Sequence, residues 1–238
     1  MVGITGVINK AKTNSYNEGL RRYMLGVYNY TSIELLISSI VAFITAKTGL
    51  VYALVGSPLG WIVAFAPIIL SVFMSVKLTK SNLSTIKIIY FLFAVLYGLS
   101  FSTLFLMFSG IDITKTFLIT SCMFGGMSIY GYTTKKDLTS SGSYLIMAVW
   151  GLLIASIINI FTKNSGLSFA ISLISVVVFT ILIAYDTQNI KKTYYAVCQD
   201  KDLATRFGIF GALQLYLDFI AIFIHLLQLL GNVNGKRN

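Results

Sequence analysis

Ionisable residues are rare inside the long apolar stretches of this 238-residue chain. Four stand out, and they are Glu34, Asp186, Asp218 and His225. An ionisable side chain at the centre of a membrane-spanning helix costs at least about 2.5–3.5 kcal/mol. Each of the four therefore needs a partner, a proton or a functional reason for its position.

Asp218 lies in the stretch LQLYLDFIAIFIHLLQLL, with no Lys, Arg, Asp or Glu within ten positions on either side. Its side chain is too short to reach a membrane surface, so it must face protein or water, or carry a proton. Gln214 precedes it by four residues, shares its helical face, and is placed to hydrogen-bond with it. The alternative is a neutral acid with a purely structural role.

Asp186 lies in the stretch ILIAYDTQNIKK, near the end of the apolar segment that precedes the Asp218 segment. One interpretation is a helix-end acid paired with Lys191 or Lys192. The other interpretation rests on chain order, because consecutive segments are expected to be antiparallel neighbours. Asp186 and Asp218 would then meet, share one proton, and separate when that proton is lost.

Glu34 and His225 are the remaining members of the set. Glu34, in YNYTSIELLISS, either lines an aqueous path, caps the aspartate pair, or is a buried neutral acid bonded to a serine. His225 is predicted to be a hydrogen-bonded helix residue, because no Cys or His stands at ligand spacing from it. No tightly bound metal and no cofactor are expected.

The composition shows which elements must position these residues. Hydrophobic residues make up 56% of the chain, charged residues 11%, and the mean hydropathy is +0.82. Soluble domains carry about 25% charged residues, so a large soluble enzyme is excluded, and disorder is excluded by the apolar content. The apolar runs are continuous and about twice as long as barrel strands, which favours helices.

Seven segments are long enough, or nearly so, to span a membrane. They are 23–45, 59–78, 86–108, 113–132, 144–161, 166–190 and 207–230. The sequence predicts an all-α polytopic membrane protein, with an amino-terminal segment at 1–22, a seven-helix domain at 23–231 and a short tail at 232–238.

The fourth segment contains two pairs of small residues at i, i+4 spacing. They are Ser121 with Gly125 and Cys122 with Gly126, and this spacing predicts close helix packing.

The basic residues predict the orientation. The formal net charge is +10, and the basic side chains cluster between apolar runs, which indicates an anionic membrane surface rather than nucleic acid as partner. Thirteen of the 18 Lys and Arg residues lie on the side of the amino terminus. The amino terminus is therefore predicted to be cytoplasmic.

Four stretches together resemble the Bax inhibitor-1 family, also called the transmembrane Bax inhibitor motif family, of bacterial type. They are 16–30 (YNEGLRRYMLGVYNY), 124–139 (FGGMSIYGYTTKKDLT), 184–190 (AYDTQNI) and 215–231 (LYLDFIAIFIHLLQLLG). The resemblance implies six helices around a central one in a bacterial inner membrane, and a pH-sensitive calcium leak. It implies that Asp186 and Asp218 form a proton-sensing dyad. The family's basic residue near that dyad, usually Arg, matches Lys77, which offers a point charge without a planar fork.

Three functions remain open from the sequence. The first is a proton-gated leak with Ca²⁺ as the permeant ion, in which Asp186 and Asp218 contact the ion transiently, because two acids are too few for a tight calcium site. The second is a stress-protective membrane interaction protein without transport. The third is an intramembrane aspartyl protease, although the second acid stands in YLDF rather than a GxGD setting and a PAL element is absent.

Overall fold

The described secondary structure of this computed structural model is helical, as the composition predicts. The structure describes the backbone of residues 2–78 and 81–235, and the side chains of that part except at residues 2–16, 64, 68, 77 and 232–235. The helices are α1 (Val2–Lys47), α2 (Leu50–Leu54), α3 (Pro58–Lys77), α4 (Leu83–Phe101), α5 (Leu104–Met107), α6 (Gly110–Thr133), α7 (Gly142–Thr162), α8 (Ser165–Val197) and α9 (Lys201–Gly235). A 3-10 turn at Thr139–Ser141 precedes α7.

Within the described ranges, six helical stretches are long and apolar enough to cross a membrane. They are carried by α1, α3, α4 with α5, α7, α8 and α9. The expectation of seven spans is therefore met for six of them and is not confirmed for 113–132, which lies inside α6. That helix has 24 residues, but threonine, serine, glycine and Lys115 dilute its apolar residues.

The third predicted segment, 86–108, is not one continuous helix. It breaks between α4 and α5, where the hydroxyl of Ser102 donates to the carbonyl of Leu99 at 2.6 Å and that of Thr103 donates to Ser100 at 2.8 Å. Hydroxyl side chains that bond to nearby backbone carbonyls compete with the helical ladder. The hydropathy of the segment carried no sign of this local competition.

One helix, α9, occupies the middle of the bundle. Its span is 67% buried, whereas the span that contains α7 is 6% buried. α9 packs against α1, α4, α6 and α8, whereas α7 packs mainly against α8. The outer surface is apolar, with Phe161 81% exposed and Trp150 59% exposed, as expected for side chains that face lipid.

The pairing of α8 with α9 is the most extensive in the bundle. Both helices run beyond their predicted ends at 190 and 207, so that only residues 198–200 connect them. Asp200 caps the start of α9, because its Oδ1 accepts from the backbone N–H of Asp202 at 2.9 Å and of Leu203 at 3.0 Å. This tight connection makes α8 and α9 antiparallel neighbours and fixes which residues face each other.

Candidate functional site

Asp186 on α8 and Asp218 on α9 meet inside the bundle. They are 8% and 3% exposed, and their carboxyl groups are in hydrogen-bond contact with each other. Oδ2 of Asp218 is buried and accepts no hydrogen bond from any described donor. Two carboxyl groups in contact repel strongly when both are charged, so the arrangement is suited to holding one shared proton.

The lysines that follow Asp186 on α8 bond elsewhere. Lys191 Nζ donates to the backbone carbonyl of Tyr132 at 2.9 Å, and Lys192 Nζ contacts Asp137 Oδ1 at 2.6 Å. The interpretation of Asp186 as a helix-end acid paired with Lys191 or Lys192 is therefore wrong. Lys191 instead binds the last turn of α6, and Lys192 binds the polar connection that follows it.

The residues around Asp186 each contact a different part of the bundle. Tyr185 packs its ring over Gly142 at the start of α7. The amide of Gln188 bonds the connection between α6 and α7 twice: its Oε1 accepts from Leu138 N at 2.8 Å, and its Nε2 donates to Lys136 O at 2.8 Å. The YDTQ sequence thus anchors α8 through residues on both sides of Asp186 in the chain.

The other predicted residues on α9 lie outside this contact. Gln214 is half-buried, and no described hydrogen bond joins it to Asp218. His225 Nδ1 lies 3.4 Å from Ser172 Oγ, which donates to Gln228 Oε1 at 2.9 Å. His225 therefore belongs to a polar group between α8 and α9, two turns beyond Asp218.

Two further site predictions concern Lys77 and metal binding. Lys77 is the last residue of α3, and its side chain lies outside the described residues, so its relation to the aspartate pair stays a prediction. No group of three or more His, Cys, Asp or Glu side chains is arranged to hold a metal ion in the part of the chain that the structure describes.

Glu34 is fully buried but does not cap the aspartate pair. Its neighbours are Tyr90 on α4 and Tyr216 on α9. The serine one turn away, Ser38, donates to the backbone carbonyl of Glu34 at 3.0 Å, which leaves the carboxyl group without a serine partner. Glu34 and Asp218 therefore belong to two separate polar clusters.

A cavity of about 580 Å³ is lined by residues of α1, α4, α5, α6 and α9. Phe219, which follows Asp218 in the chain, is part of its wall, and its ring centroid lies 5.5 Å from that of Phe117 and 5.7 Å from that of Phe124. The cavity is mostly apolar, and its hydroxyl side chains are those of Thr31, Ser32, Ser38, Ser39, Thr114 and Ser121. Phe117, Phe124 and Phe219 thus form an aromatic cluster in the wall of the cavity.

Sequence reasoning missed Gln188, Phe219 and Tyr216 as parts of these clusters. Gln188 carried a signal, because it is an amide two residues after Asp186 in YDTQ, near the predicted end of the segment at 190. Phe219 and Tyr216 carried no such signal, because an aromatic residue on an apolar helix usually indicates core packing. Only the arrangement of helices around α9 gives these two rings their positions.

Comparisons with known proteins cover almost the whole chain. The family model described as inhibitor of apoptosis-promoting Bax1 matches residues 20–235. RP147 of Rickettsia prowazekii is 44% identical over 223 residues, which cover 93% of this chain and 94% of that protein. The inner membrane protein YbhL of Escherichia coli is 36% identical over 217 residues, which cover 90% of this chain and 93% of YbhL. A protein of Caulobacter vibrioides is 40% identical over 227 residues, 91% of each chain.

Proposed function

This chain belongs to the Bax inhibitor-1 family, and we propose that it is a pH-sensitive cation leak with Ca²⁺ as the permeant ion. The observation that carries the proposal is the contact between the buried carboxyl groups of Asp186 and Asp218 on neighbouring helices. A shared proton holds α8 and α9 together at this point. Loss of that proton leaves two negative charges in contact, and their repulsion separates the helices.

The surroundings of the pair support a path for ions on one side of it. The lining of the cavity of about 580 Å³ includes Phe219, the residue that follows Asp218 on α9. In the proposal, the aromatic cluster of Phe117, Phe124 and Phe219 closes the way from the cavity to the aspartate pair, because apolar constrictions close pores by excluding water. Carboxylate oxygens are the ligands that Ca²⁺ prefers, and two of them attract the ion without retaining it.

We include α6 as a seventh span in the proposal. At about 1.5 Å per residue its 24 residues reach about 36 Å, which exceeds the hydrocarbon thickness of about 30 Å. Its hydroxyl groups bond within the helix, for example Thr116 to Asp112 O at 2.7 Å and Thr120 to Thr116 O at 2.8 Å. Such bonds lower the cost of polar side chains in lipid.

With seven spans and a cytoplasmic amino terminus, the connection between α8 and α9 faces the cytoplasm. The distribution of Lys and Arg supports this orientation. The similarity to YbhL, which is named as an inner membrane protein, supports the bacterial inner membrane as the location. The aspartate pair then lies nearer the cytoplasmic face than the cavity does.

Calcium flux into liposomes tests this function. The purified full-length protein is reconstituted with a calcium indicator inside the vesicles, and flux is measured at a series of pH values. We expect flux to change with pH in the wild type. Asp186→Asn and Asp218→Asn should each remove most of that dependence, because an amide neither shares a proton nor becomes charged.

Asp202→Asn is the matched control, because Asp202 lies on the same helix as Asp218 but is exposed at its start. Its pH profile should match that of the wild type. Unchanged flux and pH dependence in both aspartate variants would reject the proposed gate. Cleavage of a helical reporter that depends on both acids would favour an intramembrane protease, and absence of flux in all proteins would favour an interaction protein.

A further inference from the structure

Among the described residues, Glu34 is the one buried acid that the proposed gate does not use. It lies near the middle of the span in α1, and none of its surface is exposed. The titratable side chains that face it in the described part of the chain are tyrosines, namely Tyr90 and Tyr97 from α4 and Tyr216 from α9. Four oxygen-bearing side chains on three helices therefore converge at one buried point.

This cluster contains an unusual concentration of polar atoms without hydrogen-bond partners. Both carboxyl oxygens of Glu34 and the hydroxyl oxygens of Tyr90 and Tyr216 are buried and make no hydrogen bond of ordinary geometry with any described residue. Tyr90 does approach the Glu34 carboxyl closely enough to act as a donor. Ser38 likewise approaches the Tyr216 hydroxyl. Native proteins leave few buried polar atoms unpaired, so a buried carboxyl group without a well-aligned partner among the described residues indicates a bound species or a proton.

The charges around Glu34 indicate that the bound species is a proton. A carboxylate buried without a cationic partner is strongly disfavoured, and in practice such a group takes up a proton. Lys87, one turn before Tyr90 on α4, does not act on Glu34 electrostatically. Arg22 and Lys47 on α1 lie 12 and 13 residues away, at about 18 Å or more along the helix.

The Glu34 cluster is separated from the aspartate pair by α9 itself. Tyr216 and Asp218 are two residues apart, so they point to opposite sides of the helix at about 100° of rotation per residue. Asp218 interacts with Asp186, and neither of these acids acts on Glu34. The central helix therefore has a buried acid on each of two opposite sides.

We infer that Glu34, enclosed by Tyr90, Tyr97 and Tyr216, is a second proton-binding site of this protein, separate from the aspartate pair. The inference does not depend on ion flux. When Glu34 releases its proton, the contact between α1, α4 and α9 holds an unpaired negative charge and must admit water or a cation. The pH response of the protein then has a component that variants of Asp186 and Asp218 do not remove.

Infrared difference spectroscopy on the reconstituted full-length protein tests the inference, with protons as the only probe. The background is the double variant Asp186→Asn with Asp218→Asn, which removes the other buried acids. At neutral pH the exposed acids are ionised, so a remaining carboxylic acid C=O band must come from a buried one. We expect that band in the double variant and its loss when Glu34→Gln is added.

Tyr90→Phe in the double variant provides a second, independent readout. It removes the hydroxyl nearest to Glu34 and should shift the C=O band to higher frequency, because the hydrogen bond to the acid is lost. Tyr144→Phe is the matched control, since Tyr144 is 74% exposed on α7, and it should leave the band unchanged. Together, Tyr90→Phe and Tyr144→Phe test whether the C=O band belongs to Glu34 even where Glu34→Gln does not fold.

Two outcomes would overturn the inference. One is a double variant without a carboxylic acid band at neutral pH, which would mean that Glu34 is ionised. The other is a band that persists unchanged after Glu34→Gln in protein that elutes as a folded species.

Discussion

Gly131 on α6 packs directly against the backbone of Ala184 on α8. A Cβ atom at position 131 would lie 2.8 Å from the Cα of Ala184, and it would lie closer still to the Ala184 carbonyl oxygen. No side chain fits between the two helices at this point. Because Ala184 precedes Asp186 by two residues, the crossing of α6 and α8 also sets the position of the aspartate pair.

Gly131→Ala should destabilise the protein. The added methyl group meets backbone atoms, which cannot rotate away, so the helices must separate. Overpacking of this kind costs about 1–3 kcal/mol. Thermal unfolding of the purified protein in detergent measures the loss, and a shift in the pH profile of flux should accompany it.

Gly125→Ala on the same helix is the matched control. A Cβ atom at position 125 meets nothing within 4 Å, and alanine favours a helix over glycine by about 1 kcal/mol in water. This variant should be as stable as the wild type or more stable. Equal destabilisation by both substitutions would show that the contact with Ala184 is not the cause.

Sequence reasoning predicted the helical class and most helix positions, because hydropathy reports the cost of placing each residue in lipid. Sequence reasoning failed where local hydrogen bonds or the composition of a segment differ from those of a typical membrane-spanning helix. The break at Ser102 comes from a side-chain hydrogen bond, and α6 is too polar to qualify by hydropathy although it is long. The small-residue pairs at Gly125 and Gly126 were also misleading, since the close crossing uses Gly131.

The candidate site was predictable at residues whose placement in an apolar segment is energetically unfavourable. Asp186 and Asp218 stand out because a charge in an apolar segment is expensive, and chain order alone makes their helices neighbours. Glu34 stood out for the same reason, but its partners did not. Tyr90 and Tyr216 are ordinary residues of apolar helices, and only the packing of α4 and α9 against α1 brings their hydroxyl groups to one point.

The ion pair between Asp137 and Lys192 should respond to acid. The hydrogen bond from Lys192, followed by those from Thr139, holds the pKa of the Asp137 carboxyl well below its usual range. A lowered pKa in the folded state means that the contribution to stability is present above the ordinary Asp pKa of about 3.9 and is lost as the pH falls below it. Asp137→Asn should therefore lower the melting temperature slightly at pH 7 and not at strongly acidic pH.

A double-mutant cycle with Lys192→Met separates this pair from other effects. Both side chains are largely exposed, so the coupling should be small and should decrease with added salt. Melting temperatures of the two single variants and the double variant, measured at neutral and acidic pH, give the coupling directly. A coupling that does not change between these pH values would contradict the assignment of the carboxylate as the responsible group.

Phe219 follows Asp218 in the chain, lines the cavity and is 2% exposed. Its contacts with Phe117 and Phe124 are made by the ring, so Phe219→Leu keeps an apolar residue but removes the aromatic contacts. If the cluster closes the path, this variant should raise calcium flux severalfold at the pH where the wild type conducts least. Liposome flux with an internal indicator measures this.

Phe161→Leu is the comparison that makes the result specific. Phe161 is 81% exposed at the end of α7, away from the cavity, so its replacement should leave flux unchanged. Phe219→Leu should also be tested together with Asp218→Asn. If the aromatic cluster closes a path that repulsion between the two acids opens, the double variant should conduct severalfold more than Asp218→Asn alone and should show little dependence on pH. Flux that remains at the level of Asp218→Asn would place the closure elsewhere, because removal of the ring contacts would then open nothing.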